Sequence, residues 1–564
     1  MPEPLSFGVL CNSLMLERWQ ADTIGHLRHH GIELKLIIVK ASGMEPSYSP
    51  IRSKMRKLLS GNAFFYFYDR YFFHPESKEI KDYSHETTDI PKLFCTVSKQ
   101  GYYSHFHEKD LQTIRETGLD FILRFGFGII GGEILTITRF GIWSFHHGDE
   151  QKYRGGPPGF WEIVLGDPVT GVMLQQLNEQ LDNGVILRKG WFKTQSHSYK
   201  EQLDQAYLQS TRWPLQVCIT IQNGTFSETV SDSQAPLYRI PDNRTFTKFL
   251  FKLICNRLSF HWNELIRAED WNIGIIHRAI HDVIRNGWNP KEVQWFPKPD
   301  RSKFIADPFL LEIEGINHVV FEYYNYRKSK GELFGIEIRA ALGFPQNIKR
   351  ILQAENHVSF PFIFSFQGEH FLIPESHQDN RIALYRWYNE SGQFEYQNTL
   401  VDDVRGVDAS ILYHEGMWWL FFTKKDLPSV HLYLYYSHTL FDAFNPHPNN
   451  PVKTDIRSSR PAGRLFQIDN RLIRPAQDCS DHYGKRVVLN RILKLSVREF
   501  EEEEYRTISP HGNYFNQGLH TINGNEQVTL IDGKELRFLW SNLFQGIKRK
   551  TMNRKGEQEI WYER

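Results

Sequence analysis

In the stretch GIWSFHHGDEQKYRGGPPGFWEIVLGDPVTGVMLQQLNEQLDNGVIL (residues 141–187), His146, Arg154 and an isolated Asp182 are spaced as a reaction centre could use them. Acyl transfer to an amine needs a donor aimed at a developing oxyanion and a nearby group that takes the amine's proton. An imidazole suits the first task. A carboxylate beside it raises the imidazole pKa toward the cationic donor and can help remove the proton. Ser144, two residues before His146, adds a hydroxyl with one rotatable donor, and His147 or a water is a second candidate for that place.

These groups need a scaffold. Leu5–Leu10 reads as a strand, Ser13–His30 carries apolar residues at helical spacing, and Leu34–Val39 reads as a second strand. Such a β-α-β opening begins a doubly wound sheet. The pattern recurs in Leu93–Val97, a helix near Glu108–Glu116 and the strand Phe121–Phe125. Strand ends in such sheets face the ligand crevice, which is where His146 would project. Lys54–Phe73 reads as an inserted aromatic helix that packs on the sheet or lines an acceptor entrance, and Tyr199–Gln222 as a closing helix. The Ser- and Thr-rich, Pro-broken segment Asn223–Pro241 reads as a linker, and Phe246–Leu265 as a bridging amphipathic helix. The expected organisation is residues 1–225 as an α/β domain, 226–268 as linker and helix, and 269–564 as an all-β domain.

Ser144-Phe145-His146, Tyr153-Arg154-Gly155 with Pro157, and Leu181-Asp182-Asn183-Gly184 resemble, in order and spacing, the core of the folate-dependent formyltransferases of the methionyl-tRNA and sugar N-formyltransferase type. The family has Asn where Ser144 stands. The resemblance implies a Rossmann-type domain with Ser144, His146 and Asp182 as catalytic residues and 10-formyltetrahydrofolate as co-substrate. It also implies that Arg124, Phe125, Gly126, Phe127 and Gly128, with Arg154 and Gly155, hold the folate. Gly126 and Gly128 allow close backbone approach.

Beyond Glu269 short aromatic and β-branched runs alternate with Gly, Asn, Asp and Pro turns, and strand groups recur about every 40–50 residues. That period predicts a five-bladed β-propeller. Phe304–Phe309 and Val407–Ser410 resemble blade starts of five-bladed glycosidases of the arabinanase and invertase type. By that resemblance Asp307, Glu375 and Asp408, with Arg460 and His520, are the candidate propeller site. An inverting glycosidase needs its two carboxyls ~6.5–9.5 Å apart. Arg460 and Arg474, each before a Pro, could instead clamp a phosphate or carboxylate, and Glu501–Glu504 reads as a solvated turn.

Acidic and basic residues nearly cancel, at a net charge of +1, so no global field recruits nucleic acid or an anionic membrane. The five scattered cysteines form no CxxC pair, which argues against a disulfide framework and a structural zinc site, and no metal is expected. No GxxxxGK[ST] loop points to ATP. No apolar run reaches the ~20 residues that span a bilayer, and the N-terminus lacks a secretory pattern; a cytoplasmic protein is expected. The sequence therefore predicts an N-formyltransferase acting on the amine of an amino sugar or sugar nucleotide, with a propeller that binds or processes glycan. The alternatives are a glycoside hydrolase, or a carbohydrate-binding propeller with a degenerate formyltransferase domain.

Overall fold

The computed structural model describes residues 5–41, 61–179, 184–313, 315–338 and 348–538. The chain divides into two units, Met1–Phe260 and His261–Arg564.

In the first unit an eight-stranded sheet uses β1 (Ser6–Cys11), β2 (Glu33–Lys40), β3 (Lys92–Cys95), β4 (Phe121–Arg124), β5 (Ile142–His146), β6 (Val169–Gln176), β7 (Val185–Lys193) and β8 (Thr229–Val230). The order is β8-β7-β6-β5-β4-β1-β2-β3. β3, β2, β1, β4 and β5 run parallel, and β6, β7 and β8 add an antiparallel edge. The parallel strands are near-continuous apolar runs because helices cover both faces. Leu10, Ile38, Ile122 and Ile142 sit together in one buried cluster. Strand order reverses on either side of β1, so the carboxyl ends of β4 and β5, which carry Arg124 and His146, lie at the place where such sheets bind ligands.

The opening helix spans Arg18–His29, started by a capping box between Glu17 and Gln20. The aromatic insertion forms Ala63–Tyr71, with Phe65 buried against Phe160 and Phe246; residues 42–60 lie outside the described part. The closing helix expected over 199–222 is two helices, Tyr199–Leu208 and Trp213–Gln222. Pro214 explains the break: it has no N–H to continue a helix, so it sits in the first turn of the second one.

The linker expectation also changes. Thr229–Val230 adds to the sheet edge, and Leu237–Tyr238 pairs in parallel with Arg154–Gly155. Ser233 is buried and its hydroxyl donates to the Glu150 carbonyl. These residues are a strap on the first unit, and the boundary between the units falls inside the helix Asn243–Ile266 rather than at 225. Gly155 holds φ 86°, and a Cβ there would collide with the Tyr238 carbonyl oxygen. Gly155→Ala should therefore cost at least the ~1–2 kcal/mol of a left-handed non-glycine residue. It should also free the strap, read as faster proteolysis within residues 226–241 and a lower urea midpoint.

Among the described residues the second unit is five sheets, four of four strands and one of five. Four are built from consecutive segments: 303–350, 359–402, 406–454 and 466–508. The fifth joins both ends of the unit: Arg267–Ile276 pairs over its whole length with Thr529–Phe538, flanked by Gln294–Trp295 and Ile522–Gly524. Pairing the first long strand with the last closes the ring and removes its open edges. The second unit is a five-bladed β-propeller.

Candidate functional site

In the first unit Ser144 and His146 alternate with Phe145 on β5 and with His147 just past its end, so the two pairs face opposite sides of the sheet. The Ser144 hydroxyl is buried and accepts from the Arg124 guanidinium at 2.9 Å. A second Arg124 nitrogen donates to the Gly128 carbonyl, which fixes the guanidinium between strand and loop. His146 Nε2 lies 2.9 Å from the Tyr153 carbonyl oxygen, which can only accept, so Nε2 carries a hydrogen. In the neutral ring the lone pair is then on Nδ1. A Cβ on Gly148 would approach both His146 Nε2 and the Tyr153 carbonyl oxygen, so the turn after the strand needs its glycine.

Gln175 stands opposite Ser144 on β6, and its side chain accepts from the Gly184 N–H at 3.4 Å. It ties Gly184 beside Ser144. Asp182 itself lies outside the described residues.

His147 is not a substitute donor. It stacks on Tyr207 at 3.7 Å and meets Trp19 edge-on, and burial drives its pKa well below the usual imidazole value. Phe125 and Phe127 also turn into packing, against Trp19 and Phe106. The Phe127 N–H donates to Asn12 Oδ1 at 3.0 Å, and a Cβ on Gly126 would strike Asn12. The close approach at Gly126 is thus made by Asn12. Gly128 is exposed, with open space where a Cβ would be, so its backbone is the accessible part of this loop. Arg154 and Gly155 carry the strap described above.

In the propeller three neighbouring blades use one device. The inner strands bulge at Asp307, Phe360 and Asp408, each with φ between 42° and 52°. Left-handed non-glycine backbone costs about 1–3 kcal/mol each, and here it aims two carboxylates into one buried centre. Asp307 Oδ1 is 3.0 Å from His520 Nε2 and accepts from Thr521 Oγ1 at 2.9 Å, while Oδ2 accepts from the Phe360 N–H at 3.2 Å. His520 Nδ1 is 2.7 Å from Asp532 Oδ2. Although burial opposes the charge, the two carboxylates push His520 up to about 10, so its ring is a cation. Burial opposes the Asp307 charge too, but His520 holds that carboxyl below the usual range. Asp307, His520 and Asp532 offer atoms within 4.8 Å of one another, as metal ligands do. Both ring nitrogens already face carboxylates, however, so the trio is closed as an ion-paired triad.

Asp408 faces Arg460 at 2.5 Å and Gln477 at 2.8 Å. Burial pushes its carboxyl upward and the guanidinium opposes that push. Glu375 Oε1 meets His377 Nδ1 at 3.0 Å, and despite burial His377 and Arg460 keep Glu375 well below the usual carboxylate range. The five propeller residues singled out from sequence thus contribute to one hub. Sequence reasoning missed Glu322, a lone acid in the apolar run VVFEYYNY, whose carboxyl is pushed far up by burial and by the charges of Asp307 and Glu375. It also gave no role to Asp532.

Arg474 does not clamp a ligand. It is fully buried against Glu502 (2.8 and 2.5 Å) and donates to the Ser458 and Ser459 carbonyls. Glu502 in turn takes Lys453 at 2.6 Å. The acidic run lies within the strand Phe500–Ile508, not in a solvated turn, and Glu502 is its inward residue.

Comparison with known proteins gives a family match in each half. Residues 75–215 match the formyl transferase family. The first unit carries a formyltransferase domain. Residues 296–537 match the family described as glucosamine inositolphosphorylceramide transferase 1, N-terminal. Alongside the formyltransferase domain's match, the chain is similar to a methionyl-tRNA formyltransferase of Prochlorococcus marinus, 34% identical over 100 residues, 17% of this chain and 30% of that protein. It is also similar to glucosamine inositolphosphorylceramide transferase 1 of Oryza sativa subsp. japonica, 31% identical over 208 residues, 36% of this chain and 28% of that protein. The chain thus spans less than a third of either relative's length. Among solved structures, a family 117 glycoside hydrolase of Zobellia galactanivorans aligns at 12% identity and a TM-score of 0.31, covering 49% of this chain and 91% of that one. At that score it adds nothing to the propeller already read from the sheets.

Proposed function

We propose that the first unit transfers a formyl group from 10-formyltetrahydrofolate to the amine of an amino sugar or sugar nucleotide, and that the propeller binds or processes the same glycan. The observation that carries this reading is the Arg124 guanidinium docked on the Ser144 hydroxyl at 2.9 Å. Where the family has an asparagine amide, this chain presents a serine whose hydroxyl accepts from a cation. The Ser144 hydrogen is therefore free to point elsewhere, toward the oxygen that becomes negative.

The folate supplies an activated formyl amide. The acceptor's nitrogen lone pair forms a bond to the formyl carbon, and the carbonyl oxygen takes up negative charge beside Ser144 and Arg124. His146, held by the Tyr153 carbonyl, removes the proton from that nitrogen through Nδ1. As the oxyanion collapses, the bond from carbon to N10 of the folate breaks, and the proton passes to N10. Asp182, by its place in the motif, orients His146 or a relaying water. The Oryza relative's name contains glucosamine, which makes glucosamine and its nucleotide conjugates the first acceptors to try.

The test is isotope-labelled formyl transfer to a panel of amino sugars with wild type and Arg124→Ala. Loss of one oxyanion-stabilising group lowers rates by ~10²–10³, so Arg124→Ala should cut kcat by that factor with KM little changed. Equal kcat in the two proteins refutes the role given to Arg124.

A further inference from the structure

The hub of the propeller gathers acidic groups around a few cations, and one carboxylate oxygen in it makes no hydrogen bond among the described residues. Five carboxyl groups, on Asp307, Glu322, Glu375, Asp408 and Asp532, gather there. Against them stand Arg460 on Asp408, His520 between Asp307 and Asp532, and His377 on Glu375, with Lys425 acting on Glu375 through space. Glu375 is only 7% exposed, and among the described residues its Oε2 makes no hydrogen bond. A buried ionised oxygen left without a donor carries a desolvation cost that a bound cation would relieve.

The surroundings of Glu375 and Glu322 sharpen the ligand's chemistry. His357 accepts the Gly331 N–H at Nδ1 (2.8 Å), so its Nε2 carries the hydrogen, and that nitrogen lies 4.0 Å from Glu322 Oε1. The His377 ring is 6.2 Å from that of His357. Gln477 and Arg460 reach the same centre, and the Tyr483 ring lies under the Arg460 guanidinium at 4.7 Å. Donors, acceptors and an aromatic face are therefore mixed around the unpartnered Glu375 oxygen. A bare divalent ion would not use the donors, and a neutral sugar would leave Glu375 Oε2 without a charge partner.

We propose that the hub binds an amino sugar through its protonated amine, with the ammonium between Glu375 Oε2 and Glu322 and the hydroxyls on His357, Gln477 and the Asp408–Arg460 pair. This rests on the reading that the propeller binds the glycan and names how it would do so; it is independent of formyl transfer, because every residue involved is in the second unit. Glu322 gives the site a signature. Burial and its acidic neighbours push its carboxyl well above the usual range, and an ammonium beside it opposes that push. Binding should therefore release a proton from Glu322.

The experiment is titration calorimetry on the full chain without folate, using glucosamine, glucose, N-acetylglucosamine and calcium, in two buffers of different ionisation enthalpy. Glucosamine should bind at least tenfold more tightly than glucose or N-acetylglucosamine, with a buffer-dependent heat that reports proton release. Glu375→Gln should weaken glucosamine binding at least tenfold. Glu322→Gln, a neutral isostere of the protonated acid, should fold normally and lose the buffer dependence. Loss of that buffer dependence on a substitution in the second unit separates this site from the formyl-transfer centre. Equal affinity for glucose, no saturable glucosamine binding, calcium binding that displaces glucosamine, or an unaltered Glu375→Gln protein would each overturn the proposal.

Discussion

His146→Ala is expected to lower formyl transfer by ~10²–10⁴, the range for a positioned acid or base. The loss should fall on kcat, because the ring's assigned work is to move a proton at Nδ1. The change removes the ring's hydrogen bond to the Tyr153 carbonyl, and such a bond contributes only ~0.5–1.5 kcal/mol. A melting temperature within a few degrees of wild type, measured beside the rate, separates lost chemistry from lost structure. His147→Phe offers the contrast. His147 is a neutral ring stacked on Tyr207 on the other face of the sheet, so a phenyl ring should keep most of the transfer rate.

Glu502→Ala is expected to be the most damaging single substitution in the propeller. Among the described residues it would leave the Arg474 guanidinium, whose side chain is 1% exposed, with the Ser458 and Ser459 carbonyls but no carboxylate, and Lys453 without its carboxylate. Breaking a buried pair by removing one partner costs ~3–5 kcal/mol, because an uncompensated charge remains inside. The double change Glu502→Leu with Arg474→Met removes both charges and should recover much of that loss. Urea unfolding of the three proteins, followed by propeller tryptophan fluorescence, checks the order: wild type above the double variant, and the double variant above Glu502→Ala.

The α/β half was legible because its strands are apolar runs set off by helical periodicity. The strands expected at Leu5–Leu10, Leu34–Val39 and Phe121–Phe125 appear within one or two residues of those bounds. Propeller architecture was legible from the repeat of strand groups, and Asp307 and Asp408 from their blade-start segments. The failures have physical causes. A strap of two-residue strands carries too little periodicity to stand out from Ser- and Thr-rich text, so residues 226–241 read as linker. Four consecutive glutamates hide the strand period that turns Glu502 inward and leaves its neighbours outside. Glu322 was passed over because one acid in an apolar run is ambiguous until the opposite blades are known. Its neighbours in the hub come from segments far away in sequence. Gly126 had the right residue type for close approach, but the approaching group is Asn12 from the first strand's end, which spacing does not reveal.

The account stands most directly on whether this chain moves a formyl group at all. The measurement is a single-turnover reaction of the full chain with formyl-labelled 10-formyltetrahydrofolate and glucosamine, followed by mass spectrometry of the sugar. The predicted result is label in an N-formyl amide on the sugar, formed by wild type and reduced at least a hundredfold in His146→Ala. Label that stays on folate or appears only as free formate, at the same rate in both proteins, would contradict it.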